Sequence, residues 1–283
     1  MSFFRYPGGK AKLAGPILNK VEELTKDKEI NTYIEPFFGG GAIGLKILEK
    51  KTLPNLKSFV FNDTDFGLYC LWRSVHRSPK QLIKKIQDFE PTTESFYSFK
   101  EQLISADFKN SSLVDIGFMK LAVHQMSYSG LGTKAGGPIG GKKQSSDYGV
   151  GCRWSPDSLS KKVLKYSDLL GTTRFSRGFC ADFEPFFYAA MSYAYTEKNP
   201  YPFMYLDPPY YVKGSELYAQ SFSVGDHVKL SEKLKLYKFP WLLSYDDCPE
   251  IRELYNWASI EEISVNYTIR TARAKNELLI FQK

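Results

Sequence analysis

Apolar positions near the start of the chain follow two periods, one typical of buried strands and one typical of helices. Short apolar runs at Asn31–Ile34 and Ser58–Phe61 have the length and the residue types of buried strands. Between them, Ala42–Lys50 has helical character, and Lys12–Lys26 is predicted as a helix that is interrupted near Gly15-Pro16. Strand, glycine loop, helix and strand form the unit from which doubly wound α/β sheets are built.

The pattern changes after residue 65, where helical periodicity continues without an intervening strand. The helices predicted there are Phe66–Arg77, Lys80–Phe89, Ser95–Ile104, Val114–Met126 and Pro156–Leu169. The segment Ser127–Gln144 is rich in glycine and lysine and cannot form a regular helix. It is therefore predicted to be either a mobile loop or an irregular hairpin.

The α/β rhythm returns after residue 170. The predicted strands are Arg174–Cys180, Phe203–Leu206, Trp241–Ser244, Ile263–Ile269 and Leu278–Phe281. The predicted helices are Phe183–Tyr195, Asp226–Leu236 and Pro249–Trp257. The chain is thus expected to hold one α/β domain, residues 1–65 and 171–283, which is interrupted by a mainly helical insertion, residues 66–170.

The distribution of charge adds a candidate partner. The net charge is +7, and the stretch Ser111–Cys180 carries ten Lys or Arg against four Asp or Glu, a local excess of +6. A basic surface in the insertion favours a polyanion such as nucleic acid. On charge alone, a basic face that only keeps the protein soluble explains the same numbers equally well.

Cysteine and histidine usage argues against metal and disulfide chemistry. The four cysteines and three histidines are scattered, and no Cys-x-x-Cys pair occurs, so neither a zinc site nor a disulfide framework is predicted. The start of the chain, MSFFRYPGGK, lacks the apolar core of a signal peptide, and no apolar run approaches about 18 residues. We therefore expect a cytoplasmic protein with no membrane partner.

A glycine loop follows the first predicted strand, with the sequence Glu35-Pro36-Phe37-Phe38-Gly39-Gly40-Gly41. Glycines at such a turn let the backbone approach a ligand closely. A phosphate-binding P-loop would need Lys-Ser/Thr after the glycines, and Ala42-Ile43 stands there instead. Asp63, at the end of the next strand, suits a ribose hydroxyl. A nicotinamide dinucleotide site and a plain tight turn both remain open.

A second motif, YLDPPYY at residues 205–211, ends another buried strand. The Asp207 carboxylate can accept a hydrogen bond from an exocyclic amino group, and the Pro208 carbonyl offers a second acceptor. Tyr210 offers a flat ring for stacking on an extruded base. Two acceptors and a ring suit the amino edge of a nucleobase. The plain alternative is a proline-rich turn with core aromatic residues.

Taken together, these motifs resemble the Dam-type (D12 class, alpha group) DNA adenine-N6 methyltransferases. The resemblance follows the order of the chain. Its segments are Tyr6-Pro7-Gly8-Gly9-Lys10, the glycine loop, Asn62-Asp63, Asp182-Phe183, Asp207-Pro208-Pro209-Tyr210, Ser244-Tyr245-Asp246-Asp247 with Ile251–Tyr255, and Glu277-Leu278-Leu279-Ile280. The resemblance implies a Rossmann-like, S-adenosylmethionine (SAM)-dependent methyltransferase fold with a mainly helical inserted target-recognition domain.

The resemblance also implies a role for each matched residue. Tyr6 and Lys10 would border the SAM pocket, and Phe37, Gly39 and Gly41 would form its floor. Asp63 would hold the ribose hydroxyls, while Asp182 and the Phe183 backbone N–H would contact the cofactor adenine. Asp207 would lie between SAM and the target base, and the catalytic residues would be Asp207, Pro208, Pro209 and Tyr210. Individually, Asp182 could simply cap a helix and Lys10 could be a surface lysine.

The implied substrate is double-stranded DNA with a flipped adenine. Its phosphates would contact residues of the insertion, namely Lys134, Lys142, Lys143 and Arg153. A cognate restriction endonuclease is a candidate partner, in the cytoplasm of a bacterial or phage-infected cell. The segment Tyr128–Gly132 departs from the polar Asn/Arg pattern of relatives, which makes GATC an unsafe assumption for the target site.

Other functions fit some of these residues. A DNA cytosine-N4 methyltransferase usually has Ser where Asp207 stands, and RNA adenine methylation fits the insertion less well. A nicotinamide oxidoreductase would leave the Asp-Pro-Pro-Tyr elbow without a role. A DNA-binding homologue that has lost catalysis is disfavoured by the intact Asp207, Pro208 and Tyr210.

Overall fold

The computed structural model describes residue 3 and residues 10–173, 175–196, 201–212, 222–265 and 275–283. One sheet of seven strands lies at the centre of the fold. The strands are β1 (Thr32–Glu35), β2 (Ser58–Asn62), β3 (Phe175–Phe179), β4 (Pro202–Leu206), β5 (Trp241–Asp246), β6 (Ser259–Val265) and β7 (Lys275–Phe281). Their order in the sheet is β3-β2-β1-β4-β5-β7-β6. β1 to β5 pair in parallel, whereas β7 is antiparallel to both β5 and β6.

Helices connect the strands. They are α1 (Ala14–Thr25), α2 (Gly44–Lys50), α3 (Phe66–Arg77), α4 (Pro79–Gln87), α5 (Thr93–Ser105), α6 (Leu113–Met126), α7 (Pro156–Leu170), α8 (Phe183–Thr196), α9 (Val224–Leu236) and α10 (Pro249–Leu254). Short 3-10 helices occur at Lys10–Lys12 and Gly132–Lys134. The doubly wound α/β architecture predicted from the sequence is confirmed.

Both faces of the sheet are covered, which is why its four central strands, β1, β2, β4 and β5, are fully buried. In β1, Tyr33 belongs to one apolar core and the next residue, Ile34, belongs to the other, because successive side chains of a strand point to opposite faces. Helices α1–α7 contribute to the first core, and α8, α9 and α10 contribute to the second. Parallel sheets are typically covered in this way.

Some predicted boundaries were wrong. The predicted interruption near Gly15-Pro16 does not occur, since α1 begins at Ala14 and Pro16 lies in its first turn. Proline is tolerated there because the first N–H groups of a helix have no intrahelical partner. β6 begins at Ser259, four residues before the predicted start at Ile263, and the last part of that predicted strand lies outside the described residues.

The insertion is helical and starts directly after β2. Its first and last helices pack on the sheet: the Trp72 ring of α3 lies 5.1 Å from the Phe38 ring and 6.0 Å from the Tyr166 ring of α7. The division at residues 66 and 170 into a catalytic and a target-recognition domain stays a prediction. The segment Ser127–Gln144 is irregular, as predicted, and has a single β-bridge between Ser127 and Pro138.

Neither a membrane-spanning helix nor a metal-binding cluster is found among the described residues. None of the described helices is both long enough and apolar enough to cross a membrane. Within the same residues, no three His, Cys, Asp or Glu side chains come together in a way that could hold a metal ion.

Candidate active site

The candidate site lies where the strand order of the sheet reverses. β1 is bordered by β2 on one side and by β4 on the other, so the chain winds outward in opposite directions from this pair. Ligands of open α/β sheets bind outside the carboxyl ends of the strands at such a point. The loop after β1 is the glycine loop, and the loop after β4 is the Asp-Pro-Pro-Tyr elbow. The two motifs that the sequence singled out are therefore neighbours.

Backbone geometry at two positions of the glycine loop requires glycine. Gly39 and Gly41 have φ angles of 49° and 65°, in the left-handed region. A Cβ atom at Gly41 would lie 2.9 Å from the Phe38 ring. The Trp72 indole N–H donates to the Gly39 carbonyl at 2.9 Å, which fixes the loop against α3. Two glycines of the loop are therefore required by their φ angles, and Gly41 is required by its packing as well.

Asp63 lies beside this loop. The Gly39 N–H donates to one of its carboxylate oxygens at 2.7 Å, and the Asp65 N–H donates to the other at 2.9 Å. Burial, together with the nearby Asp65 carboxylate, raises the pKa of Asp63 to about 6. The structure thus brings together Gly39, Gly41 and Asp63, three of the residues predicted to contact the cofactor.

The side chain of Asn62 ties a third strand end to this loop. Its amide nitrogen donates to the Pro36 carbonyl at 3.1 Å and to the Ala181 carbonyl at 2.9 Å, and its oxygen accepts from the Ala181 N–H. Asp182 and Phe183, which follow, are thereby held near the glycine loop. The Asn62 side chain satisfies these buried groups in a way that only an amide can, with donor and acceptor together.

An aromatic cluster forms next to Asp182. The Phe183 ring lies 6.2 Å from the Phe37 ring and 5.0 Å from the Phe222 ring, which in turn lies 5.4 Å from Phe37. Asp182 itself is exposed, and its backbone carbonyl accepts from the Phe186 N–H at the start of α8. Phe37 and Phe183, two of the residues predicted to contact the cofactor, therefore lie together, with Phe222 as a third ring.

The elbow after β4 holds the densest set of buried charges near the site. The Lys10 ammonium lies 2.6 Å from Asp207 Oδ1 and 3.2 Å from Glu277 Oε2. It also donates to the Tyr210 hydroxyl at 3.0 Å, and that hydroxyl donates to Glu277 Oε1 at 2.5 Å. Ser244 Oγ donates to Asp207 Oδ1 at 3.3 Å. Lys10 is only 1% exposed, so the surface-lysine alternative is wrong.

Burial and pairing act in opposite directions on this cluster. Burial raises the pKa of Asp207, and the Lys10 ammonium opposes that rise. Burial acts to lower the pKa of Lys10, but Asp207, Tyr210 and Glu277 outweigh it, so the lysine stays charged. Nearby, burial raises the pKa of Glu35 well above its usual range, and the Tyr33 hydroxyl donates to this carboxyl at 2.8 Å.

The elbow is also fixed from its far side. The backbone N–H groups of Tyr211 and Val212 donate to the two carboxylate oxygens of Asp246, at 3.0 and 3.3 Å. Asp246 is the last residue of β5 and pairs in register with Glu277 of β7. Asp246 at the end of β5 and Glu277 near the start of the antiparallel β7 therefore both hold the elbow. The positions of Pro208 and Pro209 are thus fixed by contacts with the neighbouring strands, as well as by the restricted backbone of proline itself.

The other predicted site residues lie apart from this centre. Lys134, Lys142 and Lys143 are exposed on the irregular segment of the insertion. Arg153 donates to the carbonyls of Ser127 and Tyr128, at 3.2 and 3.3 Å, and so holds the start of that segment. Tyr6 lies outside the described residues.

Sequence reasoning assigned no role to four side chains that build the site. They are Asn62, Ser244, Asp246 and Glu277. Each stands in a segment that the family resemblance includes, at or near the end of an apolar strand, and a polar residue at such a point was the available signal. Their partners are distant in sequence, so the contacts themselves could not be derived from the pattern.

Comparison with known proteins agrees with this geometry. The family model for the D12 class N6 adenine-specific DNA methyltransferases matches residues 6–131 and 184–269. The chain belongs to this family. The predicted family and its adenine-specific DNA methylation are thereby confirmed, together with the methyltransferase fold, and the nicotinamide oxidoreductase alternative is wrong.

Two relatives are type II methyltransferases. M.MjaIII of Methanocaldococcus jannaschii is 26% identical over 223 residues, which are 74% of this chain and 68% of that protein. M1.LlaDCHI of Lactococcus lactis subsp. cremoris is 24% identical over 277 residues, 94% of this chain and 88% of that protein. Among solved structures, the rRNA methyltransferase aviRa of Streptomyces viridochromogenes aligns with a TM-score of 0.39 at 13% identity, over 98% of this chain and 86% of that chain.

Proposed function

We propose that this D12 class enzyme transfers the methyl group of SAM to N6 of an adenine that has been rotated out of double-stranded DNA. The observation that carries the proposal is the position of Asp207. Its carboxylate stands at the carboxyl end of β4, next to the glycine loop after β1, and is held there by Lys10 and Ser244.

The residues around the glycine loop fit SAM. Gly39 and Gly41, whose φ angles are in the left-handed region, let the loop backbone approach a ligand closely. Asp63 presents a carboxylate for the two ribose hydroxyls. Phe37 and Phe183 supply apolar rings that would contact the adenine of SAM. The nearby Asp182 supplies an acceptor for the amino group of that adenine. When bound, SAM supplies an electrophilic methyl carbon on a sulfonium that is a good leaving group.

Asp207 and the Pro208 carbonyl would orient the target amino group. The lone pair of adenine N6 is delocalised into the ring, which makes this nitrogen a poor nucleophile. Accepting both amino hydrogens at Asp207 and Pro208 favours a nitrogen whose lone pair points at the methyl carbon. The negative Asp207 also stabilises positive charge that builds up on N6 during transfer. As the N6–methyl bond forms, the methyl–sulfur bond would break and the neutral thioether would leave. The methylated nitrogen would then be strongly acidic and lose its extra proton to Asp207 or to water, so catalysis needs alignment and charge stabilisation but no strong base.

Tyr210 is proposed to stack on the flipped adenine. Only 4% of this residue is exposed, and its hydroxyl is bound to Glu277. Stacking therefore requires that one face of the ring opens when the base enters.

The insertion is proposed to contact the duplex. Lys134, Lys142 and Lys143 are exposed and would contact phosphates, whereas Arg153 positions that segment through two carbonyls. Such contacts fix the register of a protein on DNA, and base edges specify its sequence.

Transfer of labelled methyl groups from SAM to unmethylated duplex DNA tests the proposal. We expect N6-methyladenine as the product in digested DNA, and methyl-sensitive sequencing then gives the recognition site. Asp207→Ala should abolish transfer while the affinity for DNA stays within about threefold of wild type, because Asp207 contacts the base and not the phosphates. Methylation of RNA alone, methylation of cytosine N4, or normal turnover by Asp207→Ala would each refute the assignment.

A cognate restriction endonuclease is proposed as the functional partner, since both relatives are type II methyltransferases. The two enzymes would act on DNA in the cytoplasm of a bacterial or phage-infected cell. Plasmid from cells that express this chain should resist a type II endonuclease that recognises the methylated sequence. Cleavage at fully methylated sites by every enzyme with that specificity would contradict the partnership.

A further inference from the structure

The Lys10 ammonium has two carboxylates within reach. It lies 2.6 Å from Asp207 and 3.2 Å from Glu277, and both carboxylates are largely shielded from water. Glu277 Oε1 is taken by the Tyr210 hydroxyl. Within the described part of the chain, Glu277 Oε2 has no hydrogen-bond partner, and Lys10 is the cation that faces it. Glu277 is therefore a second carboxylate for the same lysine, and only one of its two oxygens accepts a hydrogen bond from a described residue.

This arrangement matters for the proposed reaction, on which the inference rests. An ammonium 2.6 Å from Asp207 competes with an amino group for the carboxylate oxygens and opposes positive charge on N6. A buried lysine cannot simply leave Asp207, because an unpaired buried charge is costly. A nearby alternative carboxylate removes this cost. Glu277, whose Oε2 lies 3.2 Å from Nζ, supplies that alternative.

We propose that Glu277 is a positioning residue that draws Lys10 away from Asp207 when the target adenine enters, so that Asp207 accepts from the amino group with its full negative charge. Tyr210 takes part in the same step. Its hydroxyl contacts both Lys10 and Glu277, so a movement of its ring toward the base also frees Glu277 Oε1 for the ammonium. Entry of the base and release of Asp207 are thereby coupled.

The position of Glu277 suits this role. It lies on β7, which pairs with β5, and it stands opposite Asp246 in that register. The residues that follow it, Leu278, Leu279 and Ile280, are almost fully buried in the two cores. Glu277 is thus anchored on a rigid strand, whereas Lys10 has a long side chain that can move between two fixed acceptors.

Glu277→Gln tests the inference, since glutamine keeps the shape and can still accept from Tyr210 but lacks the charge. We expect the single-turnover rate of methyl transfer to fall at least about tenfold, with the affinities for SAM and for duplex DNA near wild type. Glu277→Asp, which restores the charge, should recover part of the rate. In a Lys10→Met background, Glu277→Gln should change the rate less than about twofold.

A matched control is available at a second lysine with two carboxylates. Lys20 contacts Glu23 at 2.7 Å and Glu261 at 2.8 Å, away from the site. Glu261→Gln removes one of them and should leave the rate unchanged. The melting temperatures of all variants show whether a loss of rate reflects a loss of fold.

The outcomes separate the two proposals. A wild-type chain that does not methylate adenine contradicts the proposed function. An active wild type with an unaffected Glu277→Gln, or equal losses from Glu277→Gln with and without Lys10, contradicts the role of Glu277. A second readout does not need turnover: 2-aminopurine placed next to the target adenine, where it brightens when its stacked neighbour is flipped out, should be less fluorescent in complexes of Glu277→Gln than in those of wild type, because Asp207 holds the flipped adenine less well. Equal fluorescence overturns the inference.

Discussion

Gly41→Ala is the sharpest test of the proposed cofactor loop. Two separate penalties act at this position. The φ angle of 65° is one that alanine adopts at a cost of about 1–2 kcal/mol. The added Cβ would also lie 2.9 Å from the Phe38 ring and 3.0 Å from a methyl carbon of Leu45.

The Phe38 ring cannot move away easily, because it lies 4.4 Å from the Phe61 ring and 5.1 Å from the Trp72 ring. Forcing an extra carbon into such a packed site costs about 1–3 kcal/mol. The free energy of unfolding should therefore fall by about 2–5 kcal/mol. Displacement of the loop should also raise the Kd of SAM about tenfold, which corresponds to about 1.4 kcal/mol.

Two other glycines separate the penalties. Gly141 has a φ of 71° with no atom within 4 Å of its added Cβ, so Gly141→Ala should cost only the backbone term of about 1–2 kcal/mol. Gly15 lies in α1 with open space around it, and Gly15→Ala should stabilise the protein by about 0.4–1 kcal/mol. Urea unfolding measures all three, and isothermal titration measures SAM binding.

The reasoning would be refuted if Gly41→Ala were as stable as Gly141→Ala and bound SAM as wild type does. Equal stability would mean that the Phe38 ring yields without cost, and normal binding would mean that the loop backbone does not contact the donor.

Two further predictions concern pH and salt. Burial lowers the pKa of His227 to about 4, whereas the unfolded chain titrates near 6.5, so stability that is present above pH 6.5 is lost as the pH falls toward 4. The stability advantage of wild type over His227→Asn in urea unfolding should shrink by about 2 kcal/mol between pH 7 and pH 5, and a constant difference would contradict the shift. Replacing both Lys142 and Lys143 by Ala should reduce the slope of log affinity for DNA against log salt by about 2 in anisotropy titrations. An unchanged slope would show that these lysines do not contact phosphates.

The change between short apolar runs and helical periodicity along the chain was enough to predict the sheet and most helices. The strands β1, β2 and β4 could be recognised because burial on both faces makes each of them a nearly continuous apolar run. Boundaries were less predictable. The capping box of Ser223 and Asp226 starts α9 at Val224, two residues before the predicted start at Asp226. At β6, the polar Glu261 and Glu262 obscure a strand at the edge of the sheet, where one side faces solvent.

Only those parts of the site that lie in recognisable sequence motifs could be predicted. Gly39, Gly41 and Asp63 stand at strand ends, where chemistry is expected, and the structure brings them together. The contact of Glu277 with Tyr210 depends on β7 pairing between β5 and β6, an order that no local pattern encodes. Asn62 has the same difficulty, since its partner Ala181 follows the whole insertion.

The proposed role of the insertion in DNA recognition makes it the segment to exchange between relatives, and its route through the fold limits where the joints can lie. β2 and β3 are parallel neighbours, so the chain leaves β2 at its carboxyl end and must cross the sheet to enter β3 at its amino end. α3 and α7 make that crossing while their Trp72 and Tyr166 rings lie against each other. A transplant of residues 78–155 alone, with α3 and α7 kept from the recipient, therefore preserves the packing against the glycine loop. A chimaera joined at residues 66 and 170 exchanges α3 and α7 as well.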